Sequence, residues 1–169
     1  KERALIDSML VIADAEKPQG VGGVMGGKES EVSESTVNVL LESAYFVPAT
    51  IRQTRKALDL STDASFRFER GVDPLLQDVA IRRAALLLEQ IAGAKVHSVL
   101  DVNVMQTKQH QIQLRPERIA RILGETVQQD FSENVLTSLG FAQEEKNVWT
   151  VPSYRVDIAR EIDLIEEIA

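Results

Sequence analysis

Residues 106–111, Gln-Thr-Lys-Gln-His-Gln, hold no apolar side chain. Such a stretch has nothing to give a core, so no single buried pattern can run through it. It is the best linker position in the chain. It divides the 169 residues into an ordinary domain over 1–105 and a small one over 106–169. With 44% hydrophobic and 27% charged residues, the composition is that of a globular protein and not of a disordered or fibrous one. No apolar run reaches the ~20 residues that span a bilayer, so no membrane partner is expected.

Cysteine is absent. This excludes disulfides, thiolate metal sites and cysteine nucleophiles, and agrees with a reducing compartment. Two histidines, His97 and His110, leave little from which to build a histidine-rich zinc site. The net charge of −7 argues against unaided, non-specific binding to a phosphate backbone, although a local basic face remains open. No signal or transit peptide is legible at the start, so a cytoplasmic location is the expectation. The first residue is Lys1 and the last, Ala169, falls within helix-patterned sequence, which predicts a piece of a longer protein.

The expected fold class is α+β. Met9-Leu10-Val11-Ile12-Ala13 predicts a short buried strand. Beyond a turn around Pro18, four glycines fall in the seven residues 21–27, where backbone approaches a neighbour closely or takes positive φ. The β-branched run at 36–41 predicts a strand. Pro48 opens a helix through Leu58, and 60–65 reads as a polar loop. A longer helix is expected over 74–92, with Leu75, Leu76, Val79, Ala80, Ala84, Leu87 and Leu88 at helical spacing and Gly93 as its stop. Alternation over 96–104 predicts a half-exposed strand. Past the linker the elements are shorter: a strand at 112–114, helices at 115–123 and 126–139 stopped by Gly124 and Gly140, a strand at 149–151 and a helix at 160–169. Three short helices with short strands predict a winged-helix-like module.

Several constellations carry chemistry. The glycine segment lacks the helix that a dinucleotide-binding GxGxxG needs behind it; a ligand-free turn and a pocket wall cleared of side chains both remain. Glu42, directly after Leu40-Leu41, faces solvent, a salt bridge or a cavity; in a cavity it would accept hydrogen bonds from a hydroxyl or an ammonium group. Thr62 and Ser65 are hydroxyls in a loop, but neither histidine has the partner spacing of a Ser-His-Asp triad. Asp63, Arg67, Glu69 and Arg70 read as a structural ion-pair network, and Asp73 as the cap of the helix at Pro74. Asp157, Glu161, Asp163, Glu166 and Glu167 crowd eleven residues. On a helix Asp163, Glu166 and Glu167 share a face. Carboxylates alone suit Mg²⁺, while an acidic first turn that complements the helix dipole explains the same residues. Arg115, Arg118 and Arg121 form a basic stripe open to phosphate or to solvent.

Five segments together resemble the β subunit of bacterial phenylalanine–tRNA ligase: GVGGVMGGKES at 20–30, LLESAYF at 40–46, STDASFRFERGVDP at 61–74, LRPERIARILG at 114–124 and PSYRVDIAREIDLIEEIA at 152–169. They follow the family's order and spacing across nearly the whole chain. The resemblance implies that 1–105 is the C-terminal part of a tRNA-editing domain. It implies that 106–169 is a small winged-helix-like domain of nucleic-acid-binding type.

It further implies a hydrolytic site that removes tyrosine misattached to phenylalanine tRNA. Gly23 and Gly26 would leave room for the ring, Glu42 would recognise the tyrosine hydroxyl, and Thr62 and Ala64 would form the opposite wall. No residue here resembles a nucleophile, which leaves attack by water; the family's pocket histidine lies upstream and matches neither His97 nor His110. Asp157, Asp163, Glu166 and Glu167 match the family's Mg²⁺ ligands, whereas Glu161 has no match and is expected at the surface. The implied partners are phenylalanine tRNA and an α subunit in a heterotetramer of two α and two β chains. ATP and phenylalanine are implied to act through that α subunit, so this chain is not expected to aminoacylate alone. The competing reading is a non-catalytic RNA-binding or scaffold module.

Overall fold

The computed structural model describes residues 2–104 and 109–169. Gln106, Thr107 and Lys108 of the expected linker, and with them the expected boundary after Met105, lie outside the described residues. Two compact units are present: Lys1–Val72 with Leu76–Leu100, and Asp73–Leu75 with Asp101–Ala169. The described residues form a mixed α+β protein with six helices and two small antiparallel sheets. No helix among them is long and apolar enough to cross a membrane.

In the first unit, β1 (Val11–Ala13), β2 (Pro18–Val21) and β3 (Met25–Gly26) pair antiparallel in chain order. Val11 lies opposite Val21, and Gly20 opposite Gly26. Helix α1 (Pro48–Leu58) starts at its proline and ends at Asp59 in the left-handed region. It buries Ile51, Thr54 and Leu58 on one stripe, the spacing that an amphipathic helix gives to a core. Val24, Phe46 and Ile51 form that core, with Phe68 packed against it. The Phe46 and Phe68 rings meet edge-on, with centroids 4.9 Å apart.

Several expectations are corrected here. The strand β1 forms, but at a half-exposed edge and not in a core. Residues 36–41 are irregular and not a strand; Leu40 is 98% exposed. Residues 96–104 are likewise irregular and exposed. In both, the β-branched or alternating pattern is present, but no described strand pairs with it, and propensity without a ladder partner makes no strand. The loop expected at 60–65 gives way to α2 (Asp63–Phe68), because Thr62 caps a helix there. Helix α3 (Gln77–Ala92) begins three residues after Pro74. The Asp73 carboxylate accepts the Leu75 N–H at 2.9 Å, which makes a turn and not the helix cap. Gly93 ends α3 at φ +63°, as expected, although α3 buries none of its residues.

The second unit holds β4 (Gln111–Gln113), α4 (Pro116–Leu123), α5 (Gln129–Ser138), β5 (Ala142–Glu145), β6 (Val148–Thr150) and α6 (Glu161–Ile168). Its sheet runs β4-β6-β5, with Trp149 of the central strand opposite Ile112 and Gln143. Strand β5 escaped sequence reading because all four of its residues are exposed. It is paired through a tight turn at Asn147 (φ +63°). The core gathers Trp149, Leu136, Leu164 and Ile165 among its buried side chains. Gly124 and Gly140 stop α4 and α5 at φ +80° and +90°.

Candidate functional site

The glycine segment closes the turn from β2 to β3. Gly22 N–H donates to Leu10 O and Val24 N–H to Val21 O, each at 3.0 Å. Gly23 sits at φ +66°, and a Cβ there would lie 2.8 Å from both Ile51 Cδ1 and Phe46 Cδ2. Glycine is required by the turn and by the core beneath it. Gly26 differs: a Cβ on it meets nothing within 4 Å, so one face of this turn is open.

Thr62 fastens α2 to the same turn. Its Oγ1 donates to Val24 O at 2.7 Å and accepts the Ser65 N–H at 3.0 Å. Ser65, fully buried, returns the bond by accepting the Thr62 N–H at 2.9 Å. This reciprocal capping box satisfies two helix-terminal donors and engages both loop hydroxyls structurally. Ala64 is exposed on the first turn of α2. The structure thus joins Thr62 to the glycine turn. Glu42 is exposed in the irregular segment before Phe46, and partial loss of hydration raises its carboxyl above the ordinary glutamate range.

The expected ion-pair network forms in part. Glu69 is buried and takes Arg70 Nη1 at 3.0 Å, but its nearer partner is Arg55 Nε of α1 at 2.7 Å. Arg52 adds a bond to the Glu69 carbonyl oxygen at 3.3 Å. The arginine contacts hold the Glu69 carboxyl below its usual range. Asp63 and Arg67 stay exposed. Arg55 and Arg52 were missed because no local spacing links them to Glu69.

In the second unit the arginine stripe has a counter-ion that sequence reading left at the surface. The Glu161 carboxylate accepts from Arg115 Nη2 at 2.6 Å, from Arg118 Nε at 3.2 Å and from the Arg115 N–H at 2.8 Å. These bonds hold it below the ordinary range, the Arg115 guanidinium contributing most. Arg115, Arg118 and Arg121, with Glu117 and Ile122, line an open groove of about 410 Å³. His97 is exposed. His110 Nε2 lies 3.0 Å from Ala159 O.

The four carboxylates matched to Mg²⁺ ligands take three different roles. Asp163 Oδ2 accepts the N–H groups of Ala159 and Arg160, at 2.9 and 2.7 Å, and so caps α6. Asp157 and Glu167 both bind Arg155. Glu166 is exposed. Among the described residues no group of three or more such side chains is placed to hold a metal ion. As arranged, these residues do not fit Mg²⁺.

The carboxyls of Asp157, Glu161, Asp163 and Glu167 are all held down, by Arg155 hydrogen bonds, Arg115 hydrogen bonds, the Ala159 and Arg160 backbone N–H groups and Arg155 hydrogen bonds respectively. A group with a lowered native pKa stabilises the fold above its unfolded value and loses that contribution as pH falls through the native one. Stability of the second unit should therefore be level above about pH 5. It should fall as pH drops from the ordinary values, 4.5 for glutamate and 3.8 for aspartate. Acid titration of the fluorescence of Trp149, the one tryptophan, measures this. Glu161→Gln should flatten the profile; an unchanged acid limb would show that Glu161 contributes nothing.

The B3/4 domain family matches residues 1–93, and the tRNA synthetase B5 domain family matches residues 112–169. The chain is 48% identical, over its full length, to the phenylalanine–tRNA ligase β subunit of Protochlamydia amoebophila. It is 47% identical, again over its full length, to that of Salinibacter ruber. Over 99% of its length it is 48% identical to the β subunit of Coxiella burnetii. It spans 21–22% of the length of these relatives. With a B3/4 domain followed by a B5 domain, and with identity this high from end to end, the chain belongs to the phenylalanine–tRNA ligase β-subunit family.

Proposed function

We propose that the chain serves within a phenylalanine–tRNA ligase, supporting ATP-dependent aminoacylation of phenylalanine tRNA, and that residues 1–105 contribute the site that hydrolyses tyrosine from the mischarged tRNA. The observation that carries this reading is the junction of Thr62 with the glycine turn. The Thr62–Val24 bond holds the start of α2 beside a turn with one face clear of side chains. Gly23 and Gly26 form the cleared wall, and Thr62 and Ala64 the facing one. Glu42 accepts the tyrosine hydroxyl. Once the bound aminoacyl group shields Glu42 from water, phenylalanine offers no donor and leaves that carboxylate unpaired, so it is rejected. Water is the nucleophile.

The remaining parts of the proposal concern the whole protein. An α subunit supplies the synthetic site for ATP and phenylalanine, in an assembly of two α and two β chains, in the cytoplasm. Residues 106–169 act as a winged-helix-like domain, a reading supported by three helices and the β5–β6 hairpin. Mg²⁺ at Asp157, Asp163, Glu166 and Glu167 requires rearrangement of the bonds described above, and no step of the hydrolysis is assigned to it.

Glu42→Ala in the assembled enzyme should lower the hydrolysis of tyrosyl-tRNA relative to phenylalanyl-tRNA by about 10- to 100-fold, the worth of a hydrogen bond to a charged acceptor. Release of tyrosine from mischarged tRNA measures it, and unchanged selectivity would refute the role of Glu42. The groove lined by Arg115, Arg118 and Arg121 favours a second reading, a module that binds RNA without cleaving it. Under that reading mischarged tRNA is retained with its ester intact, and Arg121→Ala weakens retention while Glu42→Ala does not.

A further inference from the structure

Helix α1 carries Arg52, Arg55 and Lys56 at helical spacing, so the three lie together along one side of it. They flank the stripe of Ile51, Thr54 and Leu58 that enters the core. Arg55 Nε donates to the Glu69 carboxylate at 2.7 Å and Arg70 Nη1 at 3.0 Å, while Arg52 Nη2 donates to the Glu69 carbonyl oxygen at 3.3 Å. Three guanidiniums thus converge on one residue with a single negative charge, and Lys56 stands one turn from Arg52. Residues 52–70 hold five basic and three acidic side chains, in a chain with 19 basic and 26 acidic ones. The corner where α1 meets α2 therefore reverses the sign of the whole chain.

These cations are not used up by Glu69. A guanidinium is a fork of several donors. Arg55 gives Glu69 only its Nε, and Arg70 gives only Nη1, shared with the Phe66 carbonyl oxygen at 2.8 Å. Those bonds hold the Arg70 guanidinium over the Phe66 ring, 3.5 Å from its centre. The ring residue is 54% exposed and so is the Arg70 side chain. A guanidinium laid on an exposed ring is a flat, fixed platform for another flat group.

A stacking platform beside a row of cations suits single-stranded nucleic acid, whose phosphates meet the charge and whose bases meet the stack. A duplex keeps its base faces against one another and offers none to the platform. An acidic protein surface would use the cations alone. We propose that the α1–α2 corner binds an unpaired RNA segment, with phosphates on Arg52, Arg55 and Lys56 and one base on the Arg70–Phe66 stack. The proposal rests on the editing reading for the source of that segment, the unpaired end of the mischarged tRNA. Thr62 caps the start of α2 and Arg70 lies just past its end, about 9 Å of helix away. An RNA end anchored at the corner is thereby led along one short helix to the wall formed by Thr62 and Ala64.

The test is fluorescence anisotropy of a labelled single-stranded RNA of about six nucleotides, titrated with the 169-residue chain at several salt concentrations. Arg70→Lys, which keeps the charge and loses the planar stack, should weaken binding at least about fivefold, the worth of one stacked base. Lys56→Ala should lower the slope of log affinity against log salt by about 0.7, the loss of one phosphate contact to a single strand. Arg82→Ala, which removes an exposed arginine paired with Asp78 on α3, should change neither. Should Arg70→Lys fail to fold, the exposed Lys56 and Arg52, each replaced by Ala, decide through the salt slope. No binding by the wild-type chain overturns the proposal, as do equal affinities and slopes in wild type and variants. A loss confined to Arg121→Ala, which places the RNA on α4, overturns it too, and so does an equal loss in Arg82→Ala, which shows diffuse attraction only. The oligonucleotide carries no ester, so the editing reading is judged apart from this result. Tyrosine release that depends on Glu42 without these binding losses sinks the corner alone, and the binding losses without tyrosine release sink the editing reading alone.

Discussion

Trp149→Ala should destabilise the second unit by about 3–5 kcal/mol, the cost of truncating a buried large aromatic residue and leaving its cavity. Trp149 is 2% exposed and stands on the central strand of the β4-β6-β5 sheet. Its cross-strand neighbours are Ile112 and Gln143, and its side chain belongs to the cluster that includes Leu136, Leu164 and Ile165. A unit of this size rarely has more than about 3–5 kcal/mol to lose, so the variant should be largely unfolded at 25 °C. Urea unfolding followed by far-UV circular dichroism measures the effect. Trp149→Phe, which keeps most of the volume, should retain a cooperative transition. A loss below about 1 kcal/mol would mean that the neighbouring side chains close the cavity. The functional consequence is collective: α4 with its arginines and α6 with the Arg155–Glu167 ion pair are held by this one core.

Gly23→Ala should destabilise the first unit by about 2–4 kcal/mol, adding the strain of a side chain at positive φ to the overpacking of the core. The left-handed backbone and the two 2.8 Å approaches to Ile51 and Phe46 act together. Because Val24, Phe46 and Ile51 are the buried members of this cluster, they have little freedom to retreat. Gly26→Ala is the informative comparison. It meets open space at ordinary φ, so its effect on stability should stay within about 0.5 kcal/mol. If the turn is a pocket wall, the same substitution should nonetheless reduce hydrolysis of tyrosyl-tRNA by filling the cleared face. Thermal unfolding of the two variants separates the requirements. Equal losses of stability would show that the second glycine is also a folding requirement.

The contrast between these glycines marks how far local sequence could be read. Glycines at helix ends were legible, since Gly93, Gly124 and Gly140 each stop a helix at positive φ. That conformation is set by the residue and its immediate neighbours. Pro48 opened a helix for the same local reason. Strands were read only in part: those expected at 9–13, 112–114 and 149–151 form, within a residue or two, as β1, β4 and β6. Residues 36–41 and 96–104 have strand-like patterns without a described partner, while exposed β5 has no such pattern and is paired. A strand is decided by what lies beside it, and an extended segment alone satisfies none of its backbone groups.

The candidate site divides in the same way. Residue types told that 157–167 is an acidic segment and that Arg115, Arg118 and Arg121 recur every three residues, and the resemblance supplied a functional meaning for the acidic segment. Partner choice was invisible. Glu161 binds Arg115 across 46 positions, Glu69 binds Arg55 across 14, and Arg155 reaches Glu167 across 12. Helix punctuation and the family both follow from the order of residues, because each depends on short-range stereochemistry or on matching that order. Which carboxylate is paired and which stays free depends on through-space distances of 2.6–3.2 Å between groups 12 to 46 positions apart in the chain. Packing around Trp149 and around Ile51 sets those distances.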